Sequence, residues 1–133
     1  MGEAATLERA GYFGSAWGWC VRLVPMVPVR HLPRSVVFYE QLGFVVEHRR
    51  DDWGWAMLTM DGCQVMLDQS IRQGDQATSG VLYLYPDDVA AFRAAAVARG
   101  LALPEVEATF YGHAELRIED PDGNRLWIGQ VQA

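Results

Sequence analysis

The sequence predicts an α+β chain made of two βαβββ modules. Three observations predict it. Asp-Gly stands between apolar, strand-like runs twice, at Asp61-Gly62 and Asp122-Gly123, and this dipeptide is a strong hairpin signal because glycine tolerates positive φ. Each hairpin closes a similar series of strand, helix and strands. A polar stretch separates the two series, which gives a repeat of about 60 residues, too long and too few for a solenoid.

Taken in order, residues 1–20 read as an N-terminal arm. A short helix is expected near Ala4–Arg9, and the arm is expected to pack Tyr12, Phe13, Trp17 and Trp19 on the domain. The first module spans residues 21–69. Val21–Val29 is an apolar β-rich run broken by Pro25 and Pro28, which cannot donate to a ladder, so the strand is placed at an edge or bulge. Pro33-Arg34-Ser35 opens an amphipathic helix with Val36, Val37, Phe38, Tyr39 and Leu42 on its stripe, and Gly43 stops it. Val45–His48 is a strand, and Trp53–Thr59 with Gln64–Asp68 forms the first Asp-Gly hairpin. Residues 70–79 are polar and Gly-containing and read as the linker.

The second module spans residues 80–133. Val81–Tyr85 is a strand. Pro86-Asp87-Asp88 opens a helix through about Arg99, its carboxylates matched to the N-terminal dipole, and Gly100 ends it. Strands follow at Val106–Phe110, His113–Glu119 and Arg125–Val131.

Composition narrows the function. Of 133 residues, 50% are hydrophobic, enough for a sizeable core, and the net charge is −6. An acidic chain without a basic cluster predicts neither nucleic-acid nor anionic-membrane binding. All 11 basic residues are Arg, which removes lysine Schiff-base chemistry, including pyridoxal phosphate attachment. Cys20 and Cys63 are expected to be reduced, buried thiols in a chain with no secretory signal. No apolar run reaches the roughly 18 residues of a membrane span, so the expected location is the cytoplasm.

The run Val29-Arg30-His31-Leu32-Pro33-Arg34-Ser35-Val36-Val37-Phe38-Tyr39, then Leu42-Gly43-Phe44, and the late turn Glu119-Asp120-Pro121-Asp122-Gly123-Asn124 together resemble the vicinal oxygen chelate superfamily. That family includes glyoxalase I, bleomycin-resistance proteins and extradiol dioxygenases, and the resemblance covers about residues 21–131. It implies paired βαβββ modules whose curved sheets enclose a cleft, and a homodimer in which modules are often exchanged between chains. The metalloenzymes of the family carry His, Glu or Gln on cleft-facing strands. The matching positions here are Val24, Met66, Val81 and Trp127. Met66 and Trp127 each follow their hairpin glycine by four residues. Neither a valine nor an indole is a donor for Zn, Ni, Mn or Fe(II), and a thioether is a poor one. The resemblance therefore points to its binding-protein branch, with no metal, no cofactor and no catalytic residue. The alternative is a glyoxalase- or dioxygenase-like lyase or oxidoreductase with displaced ligands or no metal, using Asp68, His113 and Glu115 as acid and base.

The residues themselves suggest an aromatic cleft. Trp53 and Trp55 share a face if the strand is regular, as do Tyr83 with Tyr85 and Tyr111 with His113. Flat rings with polar tips suit a planar ligand. Asp68 lies on the face of Met66, and Glu115 and Arg117 on the face of His113, a set in which Arg117 could bond a ligand carboxylate or phosphate. Arg117 pairs with Glu119 at the surface in this reading, and His31 and His48 are solvated. The expected activity is sequestration of a small hydrophobic or aromatic compound, an antibiotic for example, bound by Val24, Trp53, Trp55, Met66, Asp68, Val81, Tyr83, Tyr85, Tyr111, His113, Glu115 and Trp127.

Overall fold

A computed structural model describes residues 20–71 and 80–132. The N-terminal arm, its proposed helix and most of the linker lie outside the described residues. The first module runs β1 (Met26–Pro28), α1 (Leu32–Leu42), β2 (Val45–Arg50), β3 (Trp55–Met60) and β4 (Cys63–Asp68). The second runs β5 (Val81–Leu84), α2 (Val89–Ala98), β6 (Glu107–Ala108), β7 (His113–Glu119) and β8 (Arg125–Val131). Each module forms a four-stranded mixed sheet, in the orders β1-β4-β3-β2 and β5-β8-β7-β6. This is the βαβββ pair that the sequence predicts.

Local chemistry sets the element ends. His31 caps α1, its Nδ1 accepting from the Arg34 amide at 3.3 Å, and a proline occupies the first turn, where no amide partner is needed. Asp88 caps α2 by accepting from the Ala91 amide at 3.0 Å. Asp61 and Gly62 both take positive φ, 51° and 84°, which matches the twist of a two-residue hairpin.

β1 is shorter than the predicted Val21–Val29 run. Pro25 and Pro28 flank its usable backbone, and only three residues pair, in parallel, with β4. β3 begins at Trp55, because residues 51–54 are a turn in which Gly54 has φ 67°. β6 is likewise only two residues long.

One face of each sheet packs against the core. That core gathers Val36, Tyr39 and Leu42 of α1 with Ala56, Leu58, Val65 and Leu67, and continues into Leu116, Leu126 and Ile128 of the second module. The alternate strand residues face away, as period-two geometry requires.

The β7–β8 turn is more than a hairpin. Asp120 accepts from the Tyr39 hydroxyl at 2.8 Å, from the Asp122 and Asn124 amides at 2.9 Å each, and from Asn124 Nδ2 at 2.9 Å. Asn124 Nδ2 also donates to the Pro28 carbonyl at 2.9 Å. Asp122 accepts from the Arg30 amide at 3.1 Å and from the Ser35 hydroxyl at 3.3 Å. Asp120, Asp122 and Asn124 are all buried, so this polar knot joins the second module to the first beneath the sheets. Burial there is sustainable because the carboxylates are so well furnished with donors. On the outer side, Arg99 donates to the Gln41 carbonyl at 2.8 Å and the Leu42 carbonyl at 3.1 Å, capping α1 from the other module.

Candidate functional site

The outward face of the second sheet carries a cluster of rings and charges that forms the candidate site. On β8, Arg125, Trp127 and Gly129 alternate with the buried Leu126 and Ile128. Trp127 stands between Tyr83 of β5, its parallel partner, and Arg117 of β7, its antiparallel partner. His113, Glu115 and Arg117 share the matching face of β7.

Glu115 is the centre of this face and is only 3% exposed. Its Oε1 accepts from the Tyr83 hydroxyl and the Tyr111 hydroxyl, each at 2.6 Å, and its Oε2 accepts from Arg117 Nε at 2.6 Å. Arg117 Nη2 also donates to the Tyr111 hydroxyl at 3.0 Å. Burial by itself would raise the Glu115 pKa, but donation from Tyr111, Tyr83 and Arg117 outweighs it and holds the carboxyl below its ordinary value. Tyr83 moves the other way. Burial, then its hydrogen bond to the Glu115 carboxylate, raises its pKa.

Rings close around this carboxylate. Tyr83 and Tyr85 stack with centroids 4.5 Å apart, and His113 lies 5.9 Å from Tyr83, 6.2 Å from Tyr85 and 5.2 Å from Tyr111. Tyr83 meets Trp127 edge-on at 6.4 Å. The Arg117 guanidinium carbon lies 3.6 Å over the Trp127 ring, so the indole is covered by a cation fixed through Glu115 and Tyr111. His113 Nδ1 is buried without a hydrogen-bond partner. Beside Arg117 a cavity of about 440 Å³ opens between β7 and the chain of residues 104–111, lined by Glu105, Glu107, Phe110 and Tyr111 among others. Phe110 is 99% exposed at its rim.

The structure thus brings together six of the predicted residues: Tyr83, Tyr85, Tyr111, His113, Glu115 and Trp127. It adds Arg117, whose partner is Glu115 and not the predicted Glu119. The i, i+2 spacing of Glu115 and Arg117 was the available signal, since it puts both on one strand face. Trp55, Met66 and Asp68 stand on the first sheet, where Trp55 pairs with Asp68 and Met57 with Met66. Asp68 is already engaged locally, its Oδ1 accepting from the Ser70 amide at 2.6 Å. Trp53 falls in the turn before β3, so it does not share a strand face with Trp55. Arg50 covers its ring at 4.1 Å. Val24 precedes β1, and Val81 begins β5 opposite Arg125.

A model of the Glyoxalase/Bleomycin resistance protein/Dioxygenase superfamily matches residues 20–128. The chain belongs to this superfamily. No curated protein matches it in sequence. Among solved structures it is similar to the bleomycin resistance determinant encoded on transposon Tn5, with 23% identity, a TM-score of 0.70, and coverage of 84% of this chain and 98% of that one. It is similar to a bleomycin-binding protein complexed with bleomycin, with 22% identity, a TM-score of 0.66 and coverage of 84% and 98%. TnmS3, an antibiotic-binding protein from Streptomyces sp. CB03234, is 25% identical with a TM-score of 0.65 and coverage of 82% and 93%.

The parallel register sets the neighbours of Met66 and Trp127. The neighbour of Met66 on β1 is Met26, and the neighbour of Trp127 on β5 is Tyr83. Each lies two residues beyond the positions matched by sequence, Val24 and Val81. Two thioethers, a phenol held by Glu115 and an indole do not make a donor set for a hard divalent ion. Among the described residues, no three His, Cys, Asp or Glu side chains are grouped to hold one.

Proposed function

We propose that the protein binds and sequesters a small hydrophobic or aromatic compound without transforming it, in the manner of antibiotic-resistance proteins of the bleomycin-binding type. The observation that carries this reading is the set of rings around Glu115: Tyr83, Tyr85, Tyr111, His113 and Trp127, all on one sheet face beside an open cavity. Sheet faces built only for packing favour Val, Ile and Leu. Rings with polar tips present flat contact area with fixed hydrogen-bonding edges. The likeness in fold to bleomycin-binding and antibiotic-binding proteins supports the same reading.

Glu115 argues for binding over acid–base catalysis. A base must accept a proton in the reaction, and this carboxylate accepts three hydrogen bonds and sits below its ordinary pKa. A metal-free mode of binding agrees with the thioether, phenol and indole at the ligand positions.

The site is completed by a second copy in this reading. Trp55, Met66 and Asp68 lie on the first sheet, and exchange of modules in a homodimer would set them against the second-sheet cluster of the partner. Phe110, Tyr85 at 67% exposure and Val131 at 69% supply apolar surface for that contact. No described helix is long and apolar enough to cross a membrane. The two free thiols, Cys20 and Cys63, are exposed and not buried as the sequence suggests, and they fit a reducing cytoplasm.

Titration with planar natural products, followed by Trp fluorescence, tests the proposal. Binding tighter than about 100 μM, weakened by Trp127→Ala, is the expected outcome, since weaker binding falls short of roughly 5–6 kcal/mol and would not protect a cell from a scarce toxin. Failure of every planar compound to reach that affinity overturns it.

A further inference from the structure

The indole of Trp127 is not the open surface of this site. Its neighbour on β7 already lies on it: the Arg117 guanidinium carbon is 3.6 Å above the ring centroid, a separation at which the two groups are in stacking contact. The guanidinium is also held in place by two side chains. Its Nε donates to Glu115 Oε2 at 2.6 Å and its Nη2 to the Tyr111 hydroxyl at 3.0 Å.

A ligand that sought the covered indole face would have to pull Arg117 away. That would break a short charge-assisted hydrogen bond, the stronger kind, and strip a cation from a carboxylate that is almost fully buried. The ligand would gain one ring stack in exchange, replacing one the indole already has. Leaving Arg117 in position avoids all of these losses. The side chain is 51% exposed, and the cavity lined by Arg117, Phe110 and Tyr111 opens beside it.

We propose that the ligand-facing plane of the site is the Arg117 guanidinium, fixed on Trp127, and that it selects planar conjugated molecules with an electron-rich or anionic π system over planar cations. This rests on the reading of the site as a binder of planar compounds. The physical reason is the sign of the surface. A ring presents a negative face to whatever stacks on it, so bare Trp127 would favour cations. Capped by Arg117, the same spot presents a delocalised positive plane. Lysine cannot replace it, because an ammonium keeps the charge but not the plane or the forked donors. Glu105 and Glu107 also line the cavity, and Glu105 is drawn to Arg93 at 3.2 Å. Glu115 in the same lining is already paired with Arg117, and the pull that Glu105 and Glu107 exert from a distance on a ligand stacked on the guanidinium is reduced by salt.

The test compares two planar three-ring probes, anthracene-9-carboxylate and 9-aminoacridine, which are anionic and cationic at neutral pH. Binding is measured calorimetrically at about 0.5 M salt, where charge effects beyond contact range are suppressed, with the full chain and its Arg117→Lys and Arg117→Ala variants. The expected result is tighter binding of anthracene-9-carboxylate to the parent protein. Arg117→Lys should weaken it by about tenfold without weakening the binding of 9-aminoacridine, which the uncovered indole favours. Arg117→Lys retains a cation for Glu115, and a thermal melt confirms that it is folded. Tighter binding of 9-aminoacridine to the parent, or undiminished binding of anthracene-9-carboxylate by both variants, overturns the inference and leaves the binding function standing. Failure of the parent to bind either probe more tightly than about 100 μM also overturns the inference, and leaves the binding function to the wider titration.

Discussion

Gly129 lies directly beneath the hydroxyl of Tyr83. A Cβ at position 129 would stand 2.7 Å from that oxygen, 2.9 Å from the Ala114 carbonyl and 3.3 Å from the Glu115 Cβ. Glycine is present here for space. It pairs across the ladder with Glu115, and its missing side chain makes the room in which Tyr83 reaches the carboxylate.

Gly129→Ala is therefore expected to destabilise the fold by about 1–3 kcal/mol, the usual range for overpacking a tight site, read from urea midpoints. Tyr83→Phe in the same chain should not restore the loss, because it also takes a donor from the Glu115 carboxylate. It removes the clashing oxygen but leaves the backbone carbonyl of Ala114, which cannot swing aside.

The joint between the modules makes a second prediction. Tyr39 is fully buried and donates to Asp120. Tyr39→Phe leaves that carboxylate one donor short and should cost about 1–3 kcal/mol at neutral pH. Burial first, and then the Asp120 carboxylate, push the Tyr39 pKa above its ordinary value. An unfolded tyrosine ionises at about pH 10. Above that pH only the unfolded chain releases the proton, so native stability falls as pH rises toward the folded value, and the contribution is complete only below the unfolded one. The Tyr39→Phe protein should show a shallower loss of stability above about pH 10 than the parent.

These relationships also show what the sequence could disclose. Element order was legible because it is local: the Asp61-Gly62 turn, the Gly43 stop and the Asp88 cap each act within a few residues. The second Asp-Gly was read as a turn of the same kind. Asp120 and Asp122 instead reach Tyr39 and Ser35, 81 and 87 positions away, and no local pattern encodes such a pairing. Parallel register is equally non-local. The pairs Met26 with Met66 and Tyr83 with Trp127 come from two strands brought together by a helix, and no local pattern gives which residues of such strands lie side by side. Trp53 was misplaced for a different reason. Gly54 turns the chain between Trp53 and Trp55, and the alternation that would have aligned them starts only afterwards. Arg117 was read as pairing with Glu119, which shares its strand face equally well. The tyrosines that hold Glu115 decide the matter, and they arrive from β5 and from the β6–β7 turn.

Glu115 gives a third prediction, on the acid side. Its burial opposes ionisation, but Tyr111, Tyr83 and Arg117 overcome this and hold its pKa below the ordinary value. A depressed folded pKa contributes stability that is present above the unfolded value, about 4.3, and that is lost as pH falls through the folded one. Glu115→Gln should be less stable than the parent at pH 7. It should also lack part of the parent's decline in the acid range, so the two stability curves converge below about pH 4. Denaturant titrations at a series of pH values measure both effects. Parallel curves would show that Glu115 carries no linkage.

The last prediction concerns how many chains build one site. Trp55 and Met66 lie on the first sheet and Trp127 on the second. If modules are exchanged in a homodimer, a site joins the first sheet of one copy to the second sheet of its partner. Trp55→Ala with Met66→Ala should then abolish binding in one homodimer, and Trp127→Ala should abolish it in another. Unfolded together and refolded at equal amounts, half of the dimers become mixed. In each mixed dimer one site receives both damaged faces and the other receives both intact faces. About a quarter of all sites should therefore recover, with parental affinity, an outcome that follows from two-fold symmetry alone. Sites built within single chains would recover nothing, because every chain carries a damaged face. Calorimetric stoichiometry of the remixed sample separates the two: about one quarter of the parental number of sites against none.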